Sequence, residues 1–249
     1  MSDLDFTLDF TGKTVLLIGG SSGIGNGIAH AFRLKGADVH VTGTKASASD
    51  YDGVSGSDLT GLNYTKLDIT KQDEIDAWTA SFARLDVLIQ CQGSVLYNQQ
   101  EFKMDGFRFV TEVNQMSVMA VALKFHPMLK ATQGAMIIVS SDAAFHTTRG
   151  NPAYHASKKA AVGLTQVLAE AWARDKIRIN GIAPGLVPTK LTAVSTDHPE
   201  RMEKYIQRIP MRRAGTPADM AGVALFLASP LSAYVLGQVI QVDGGMLLA

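Results

Sequence analysis

Three side chains in the second half of the chain have the types and spacing of a proton-transfer site. Tyr154 is followed four residues later by Lys158 and preceded thirteen residues earlier by Ser141. Residues four apart on a helix share one face. The segment Ala153-Tyr-His-Ala-Ser-Lys-Lys-Ala-Ala-Val-Gly-Leu-Thr165 has the composition and apolar spacing of a helix. An ammonium beside a phenol favours the phenolate and lowers its pKa from about 10 toward an enzyme's working range. Tyr154 then becomes a general acid/base, and Ser141 a hydroxyl that holds a carbonyl oxygen beside it. A Tyr and a Lys one turn apart also occur on ordinary helices, so the rest of the chain has to supply the context.

The elements that must position these residues alternate along the sequence. Thr14–Ile18 is a short apolar run of strand type followed by glycines, and 24–35 has helical periodicity ending at Gly36, a C-cap signal. Strand patterns recur at 38–42, 63–67, 86–90, 135–140, 178–182 and 239–242. Helical patterns fall at 71–82, at 104–129 and on the Tyr154 segment, and 45–61 reads as a Ser-, Asp- and Gly-rich loop. This order predicts an α/β protein with a parallel sheet and helices on both faces. No repeat and no linker divides residues 1–249, so the sequence predicts a single domain.

Composition narrows the function classes. The 249 residues carry 23 basic and 23 acidic side chains, a net charge of zero, so nothing points to electrostatic binding of nucleic acid or an anionic membrane. The basic run from Arg201 to Arg213 contains a Glu and apolar residues at helical spacing and reads as an amphipathic helix. No apolar stretch reaches the roughly 18 residues of a membrane span. The acidic N-terminus lacks the pattern of a secretory signal. A single cysteine, Cys91, allows no internal disulfide and agrees with a cytoplasmic setting. The six histidines show no metal-ligand spacing.

A glycine-rich loop, Gly19-Gly-Ser21-Ser22-Gly23-Ile24-Gly25, follows the first strand and opens the first helix. Glycines there allow a tight turn and close backbone approach to a pyrophosphate, which a helix N-terminus favours. No Gly-Lys-Ser/Thr follows, so this is not a nucleoside-triphosphate loop.

With these motifs in order, the chain resembles the short-chain dehydrogenase/reductase family over essentially its whole length. The glycine loop is similar to that family's Thr-Gly-x-x-x-Gly-x-Gly, with Ile18 in place of the Thr. Asp68-Ile69 matches the pair set against the adenine ring, and Asn114 lies 27 residues before Ser141, the spacing of the family's catalytic Asn. Pro184-Gly185-Leu-Val187-Pro-Thr189 matches the loop that closes on the nicotinamide carboxamide, and 234–245 matches the C-terminal signature. One departure is Gln90-Cys91-Gln92-Gly93 where the family has Asn-Asn-Ala-Gly. Gln92 is much bulkier than Ala, at a place that lines the cofactor's adenosine side.

The resemblance implies a Rossmann-type fold and hydride transfer between a nicotinamide cofactor and a carbon bearing oxygen. Tyr154 would protonate or deprotonate that oxygen, and Ser141 orient it. Lys158 would tune Tyr154 and hold the nicotinamide ribose, and Asn114 would anchor a relay water. It also implies NADP rather than NAD, because Gly43 stands where NAD-preferring relatives carry Asp and Thr44 and Lys45 can bond a 2′-phosphate. Ser22, where many NADP enzymes have Arg, leaves NAD open. The implied substrate wall is Ser94, Val95, Leu96, Ala143, Phe145, His146, Asn151 and Leu186, with Val187 beside it and a lid at about 189–211. This wall suits a small secondary alcohol or ketone uncharged near the reacting carbon, with a polyol or sugar as the alternative. Relatives of this length imply a homotetramer. The competing classes are a silent dinucleotide sensor on the same fold and a methyltransferase.

Overall fold

The computed structural model describes residues 7–248. Seven parallel strands form one sheet in the order β3-β2-β1-β4-β5-β6-β7. They are β1 (Thr14–Ile18), β2 (Asp38–Gly43), β3 (Asn63–Lys66), β4 (Val87–Gln90), β5 (Ala135–Val139), β6 (Arg178–Pro184) and β7 (Val239–Val242). The helices are α1 (Gly23–Leu34), α2 (Gln72–Ala77), α3 (Met104–Thr111), α4 (Ser117–Thr132), α5 (Pro152–Trp172), α6 (Ala193–Thr196), α7 (Pro199–Arg208) and α8 (Pro217–Ala228).

The strand residues sort by parity, because successive side chains leave opposite faces of a sheet. Val15, Leu17, Val41, Ile89, Val139 and Ile182 pack with Ile28 and Phe32 of α1 and Met220 and Ala224 of α8. Leu16, Ile18, Leu88, Met136, Ile138 and Ile179 pack with Val121, Phe125 and Leu129 of α4 and Ala161 and Leu168 of α5. Both faces are therefore covered, which is why the central strands β1, β4 and β5 are buried throughout and read as near-continuous apolar runs. Strand order reverses between β1 and β4, and the crevice outside the strand ends at such a switch point is where open α/β sheets bind ligands.

Two helices differ from the sequence expectation. The pattern at 71–82 forms a helix only as far as Ala77, and Trp78 is extended. Trp78 and Phe82 instead set their rings against Phe125, with centroids 5.2 and 6.1 Å away. Tertiary packing outweighs local propensity there. The stretch at 104–129 is broken by a π turn at Glu112–Met116, between α3 and α4, and that turn contains Asn114.

Candidate active site

One cleft of about 750 Å³ runs along the strand ends. The β1–α1 loop lines it with Gly19, Ser21, Ser22, Gly23, Ile24 and Gly25. Thr44 follows β2, Asp68 and Ile69 follow β3, and Gly93 and Ser94 follow β4. Ser141, Tyr154, Lys158, Pro184, Gly185, Val187 and Thr189 complete the wall. Residues up to 170 apart in sequence thus share one surface, because each strand delivers its following loop to the same sheet edge.

The glycine loop is close-packed onto itself, and a side chain at Gly25 would strike the Gly19 carbonyl. The hydroxyl lost at Ile18 is replaced from the next strand, since Thr42 Oγ1 accepts the Gly19 N–H at 3.2 Å. Asn26 Nδ2 donates to the carbonyls of Gly20 at 3.3 Å and Asp58 at 2.7 Å. This bare, tied-down backbone at the start of α1 fits a dinucleotide pyrophosphate.

Gln92 does not fill the cleft with its bulk. Its Nε2 donates to Gln90 Oε1 and to Ser117 Oγ, both at 3.1 Å, while Gln90 Nε2 donates to the Val118 carbonyl at 3.0 Å. Ser117 in turn donates to the Val113 carbonyl at 2.7 Å. The Gln pair braces the strand end against the π turn, so the departure from Asn-Asn-Ala leaves room for a cofactor.

Ser141, in extended conformation after β5, donates to Asp142 Oδ1 at 2.9 Å and accepts the Ala143 N–H at 3.2 Å. Lys158 is buried, and its Nζ donates to the Val139 carbonyl at 3.0 Å and lies 5.7 Å from the Tyr154 ring centre. Burial lowers the Lys158 ammonium from its ordinary 10.5 to about 8. The Tyr154 phenol is pushed up to about 12, first by burial, with Asp142, Tyr97 and Glu101 adding to the rise and Ser141 opposing it. The lowering of Tyr154 expected from Lys158 is therefore absent here: desolvation of the phenolate outweighs the lowering by Ser141. Cys91, beside Lys158, is pushed up to about 11 by burial, so its thiol stays protonated.

Several residues expected at the site stand back from the cleft wall. Asn114 is buried behind it, bonded to Ser94 and Ser157. Lys45 donates to the Asp50 carbonyl and lies 4.7 Å over the Tyr51 ring, which draws it away from the cleft. Asn151 Nδ2 donates to the Leu96 carbonyl at 3.0 Å, so it clamps a loop instead of facing a ligand, and the Leu96 N–H bonds Glu101. Val95 is half-buried in the same loop, and Leu186 is half-buried with its carbonyl taken by the Gly215 N–H. Ala143 is buried, Phe145 is 40% exposed, and His146 turns to the Thr147 carbonyl and Asp142. Three residues missed from the sequence are Glu101, Asp142 and Lys66. Lys66 lines the cleft and pairs in register with Gly43. None matches a motif: Asp142 comes in as the neighbour of Ser141, whereas strand pairing brings in Lys66 and loop contacts bring in Glu101.

Among the described residues, no helix is long and apolar enough to cross a membrane, and no group of three or more His, Cys, Asp or Glu could hold a metal.

The fold and cleft define a nicotinamide-dependent oxidoreductase on a doubly wound sheet. A family profile described as enoyl-(acyl carrier protein) reductase matches residues 19–247. The 3-oxoacyl-[acyl-carrier-protein] reductase FabG of Chlamydia muridarum is 33% identical over 245 residues, covering 94% of this chain and 97% of the relative. The 7alpha-hydroxysteroid dehydrogenase of Escherichia coli is 34% identical, covering 96% of this chain and 95% of the relative. The crystal structure of a putative NAD(P)-dependent gluconate 5-dehydrogenase from Beutenbergia cavernae, with bound NADP, superposes with a TM-score of 0.87. It is 34% identical and covers 97% of this chain and 99% of that one. The chain belongs to the short-chain dehydrogenase/reductase family and is an NAD(P)-dependent oxidoreductase.

Proposed function

We propose that the chain interconverts a secondary alcohol and a ketone with NADP, with Tyr154 as the general acid/base. The observation that carries this reading is the meeting of Ser141, Tyr154 and Lys158 on the wall of the cleft whose other end is the glycine loop. The nicotinamide supplies or accepts the hydride. Tyr154 gives its proton to the carbonyl oxygen in reduction and takes the hydroxyl proton in oxidation. Burial keeps that proton on the phenol to about pH 12, which suits the acid role. Ser141 orients the oxygen by exchanging its bond to Asp142 for one to substrate. Lys158 holds the nicotinamide ribose. The side-chain amide of Asn114 is committed to Ser94 and Ser157, so it braces the site and is not free to anchor a relay water.

The NADP preference rests on Gly43. A side chain there would meet the Tyr51 hydroxyl and come within 2.6 Å of Ser21 Oγ, so the acidic residue of NAD-preferring relatives has no space. Thr44 and Lys66 border that position on the cleft.

The substrate reading is a small ketone or alcohol uncharged near the reacting carbon. Asp142, half-buried and bonded to Ser141, opposes a carboxylate or phosphate at that carbon. Asn151, already bonded to Leu96, offers little to a polyol. The segment 189–211, with α6 and α7, acts as a lid on a single domain, and Tyr97 Oη bonds it through the Leu191 carbonyl at 2.9 Å. The protein works as a cytoplasmic homotetramer.

The test is turnover of ethyl acetoacetate, a neutral ketone, against fructose, a hydroxyl-rich one, by the wild type and Tyr154→Phe. Loss of one acid/base group costs about 10²–10⁴-fold in kcat. Retention of more than about a tenth of kcat by Tyr154→Phe would sink the role of Tyr154. A preference for fructose above tenfold in kcat/KM, about 1.4 kcal/mol, would sink the apolar-substrate reading.

A further inference from the structure

We propose that Glu101 is a positioning residue: its buried carboxylate sets the first turn of α5, and hence the place of Tyr154, and ties that turn to the loop carrying Ser94–Tyr97. Glu101 is 1% exposed. Its Oε2 accepts the Tyr154 N–H at 2.9 Å, and its Oε1 accepts the Leu96 N–H at 2.9 Å and Asn151 Nδ2 at 3.4 Å.

The arrangement answers a need of the helix. The first N–H groups of a helix have no partner within it, and an N-cap side chain usually accepts one of them. Here the N-cap residue, Asn151, makes no such bond. Its amide donates to the Leu96 carbonyl instead. Pro152 opens the helix without an N–H to satisfy. The N–H of Tyr154, at the third helical position, is therefore taken by a carboxylate 53 residues upstream. A negative charge at this end also complements the helix dipole.

The same carboxylate thus reaches the catalytic helix and the loop beside the reacting carbon. The loop is gripped separately at Ser94 by Asn114. Glu101 does not itself line the cleft, so it acts through its bonds to Tyr154 and Leu96 and does not act on substrate.

Glu101→Gln keeps the side chain's size and one accepting oxygen, and leaves either Tyr154 or Leu96 without its acceptor. A misplacement of about 1 Å costs on the order of 10²-fold in rate. With ethyl acetoacetate and NADPH, kcat of Glu101→Gln should fall at least roughly tenfold, by the same argument. The Kd for NADPH, read by fluorescence titration, should stay within about twofold, because the cofactor's end of the cleft is untouched. In a Tyr154→Phe background the same substitution should change residual turnover little, since two residues acting as one unit are not additive.

A kcat within about twofold of wild type, or an equal loss in both backgrounds, overturns the proposal. If Glu101→Gln does not fold, Glu101→Asp carries the same cycle, with its shorter carboxylate expected to lower kcat at unchanged NADPH affinity. The inference rests on Tyr154 as acid/base. Retained activity in Tyr154→Phe sinks that reading, whereas an inactive Tyr154→Phe with a fully active Glu101→Gln sinks only the role of Glu101.

Discussion

Asn114 holds the backbone of Ser94 from both sides. Its Oδ1 accepts the Ser94 N–H at 2.7 Å, and its Nδ2 donates to the Ser94 carbonyl at 2.9 Å and to Ser157 Oγ at 3.0 Å. Ser157 precedes Lys158 on α5. One side chain in a π turn therefore joins the loop after β4 to α5, and π turns of this kind recur at functional sites.

Asn114→Ala should loosen that junction. It orphans part-buried backbone groups of Ser94, at up to about 1–3 kcal/mol for an unsatisfied group. Chemical denaturation should show a loss of this size, and amide exchange at 94–97 should accelerate. Unaltered exchange in that loop would contradict the bracing role.

The buried Lys158 makes stability depend on pH in a stated direction. Its ammonium falls from 10.5 in the unfolded chain to about 8 in the fold. Between these values the unfolded chain binds more protons, so stability from this group rises with pH across about 8 to 10.5. The span of about 2.5 units amounts to roughly 3 kcal/mol. Lys158→Met removes the titrating group. Its stability relative to wild type should therefore drop by up to that amount between pH 7 and pH 10.5, whatever the constant cost of orphaning the Val139 carbonyl. Parallel urea unfolding curves at the two pH values check this, and a constant difference would contradict it.

Cofactor choice separates two lysines. Lys66→Ala should raise KM for NADP roughly tenfold or more, as loss of a hydrogen bond to a charged group implies, with little change for NAD. Lys45→Ala should do less, because that ammonium is held by the Asp50 carbonyl and the Tyr51 ring. Gly43→Asp alone should fail to convert the enzyme to NAD, since Tyr51 and Ser21 occupy the space. Steady-state kinetics with both cofactors decide each case, and an efficient NAD enzyme from Gly43→Asp would refute the packing argument.

Apolar groups left at the surface support the proposal of a homotetramer. Met116 at the end of the π turn and Leu123 in the middle of α4 are 52% and 56% exposed, and Val167 of α5 is 54% exposed. Light scattering at micromolar concentration should give a tetramer mass, and Leu123→Glu a smaller species. A wild-type monomer would contradict the expectation.

Much of this protein was legible before any contact was known. Strand patterns at 14–18 and 135–140 survive as strands because a sheet covered on both faces needs uninterrupted apolar runs, whereas Val239–Val242, interrupted by the exposed Gln241, is the edge strand beside β6. Tyr154 and Lys158 fall on one helix, and the glycine loop falls between β1 and α1, because helical period and turn chemistry are local properties. Tertiary structure decided the rest. Thr42 took over the tie lost at Ile18, and Gln92 turned inward to Gln90 and Ser117. Trp78 left its helix to pack on Phe125, and Glu101 came to cap a helix 53 residues away. The rise of the Tyr154 phenol belongs with these. Its cause is desolvation, which depends on what surrounds a group in space. Spacing along the chain shows which residues share an element, but not how deeply the assembled fold will bury them or which distant partner will meet them.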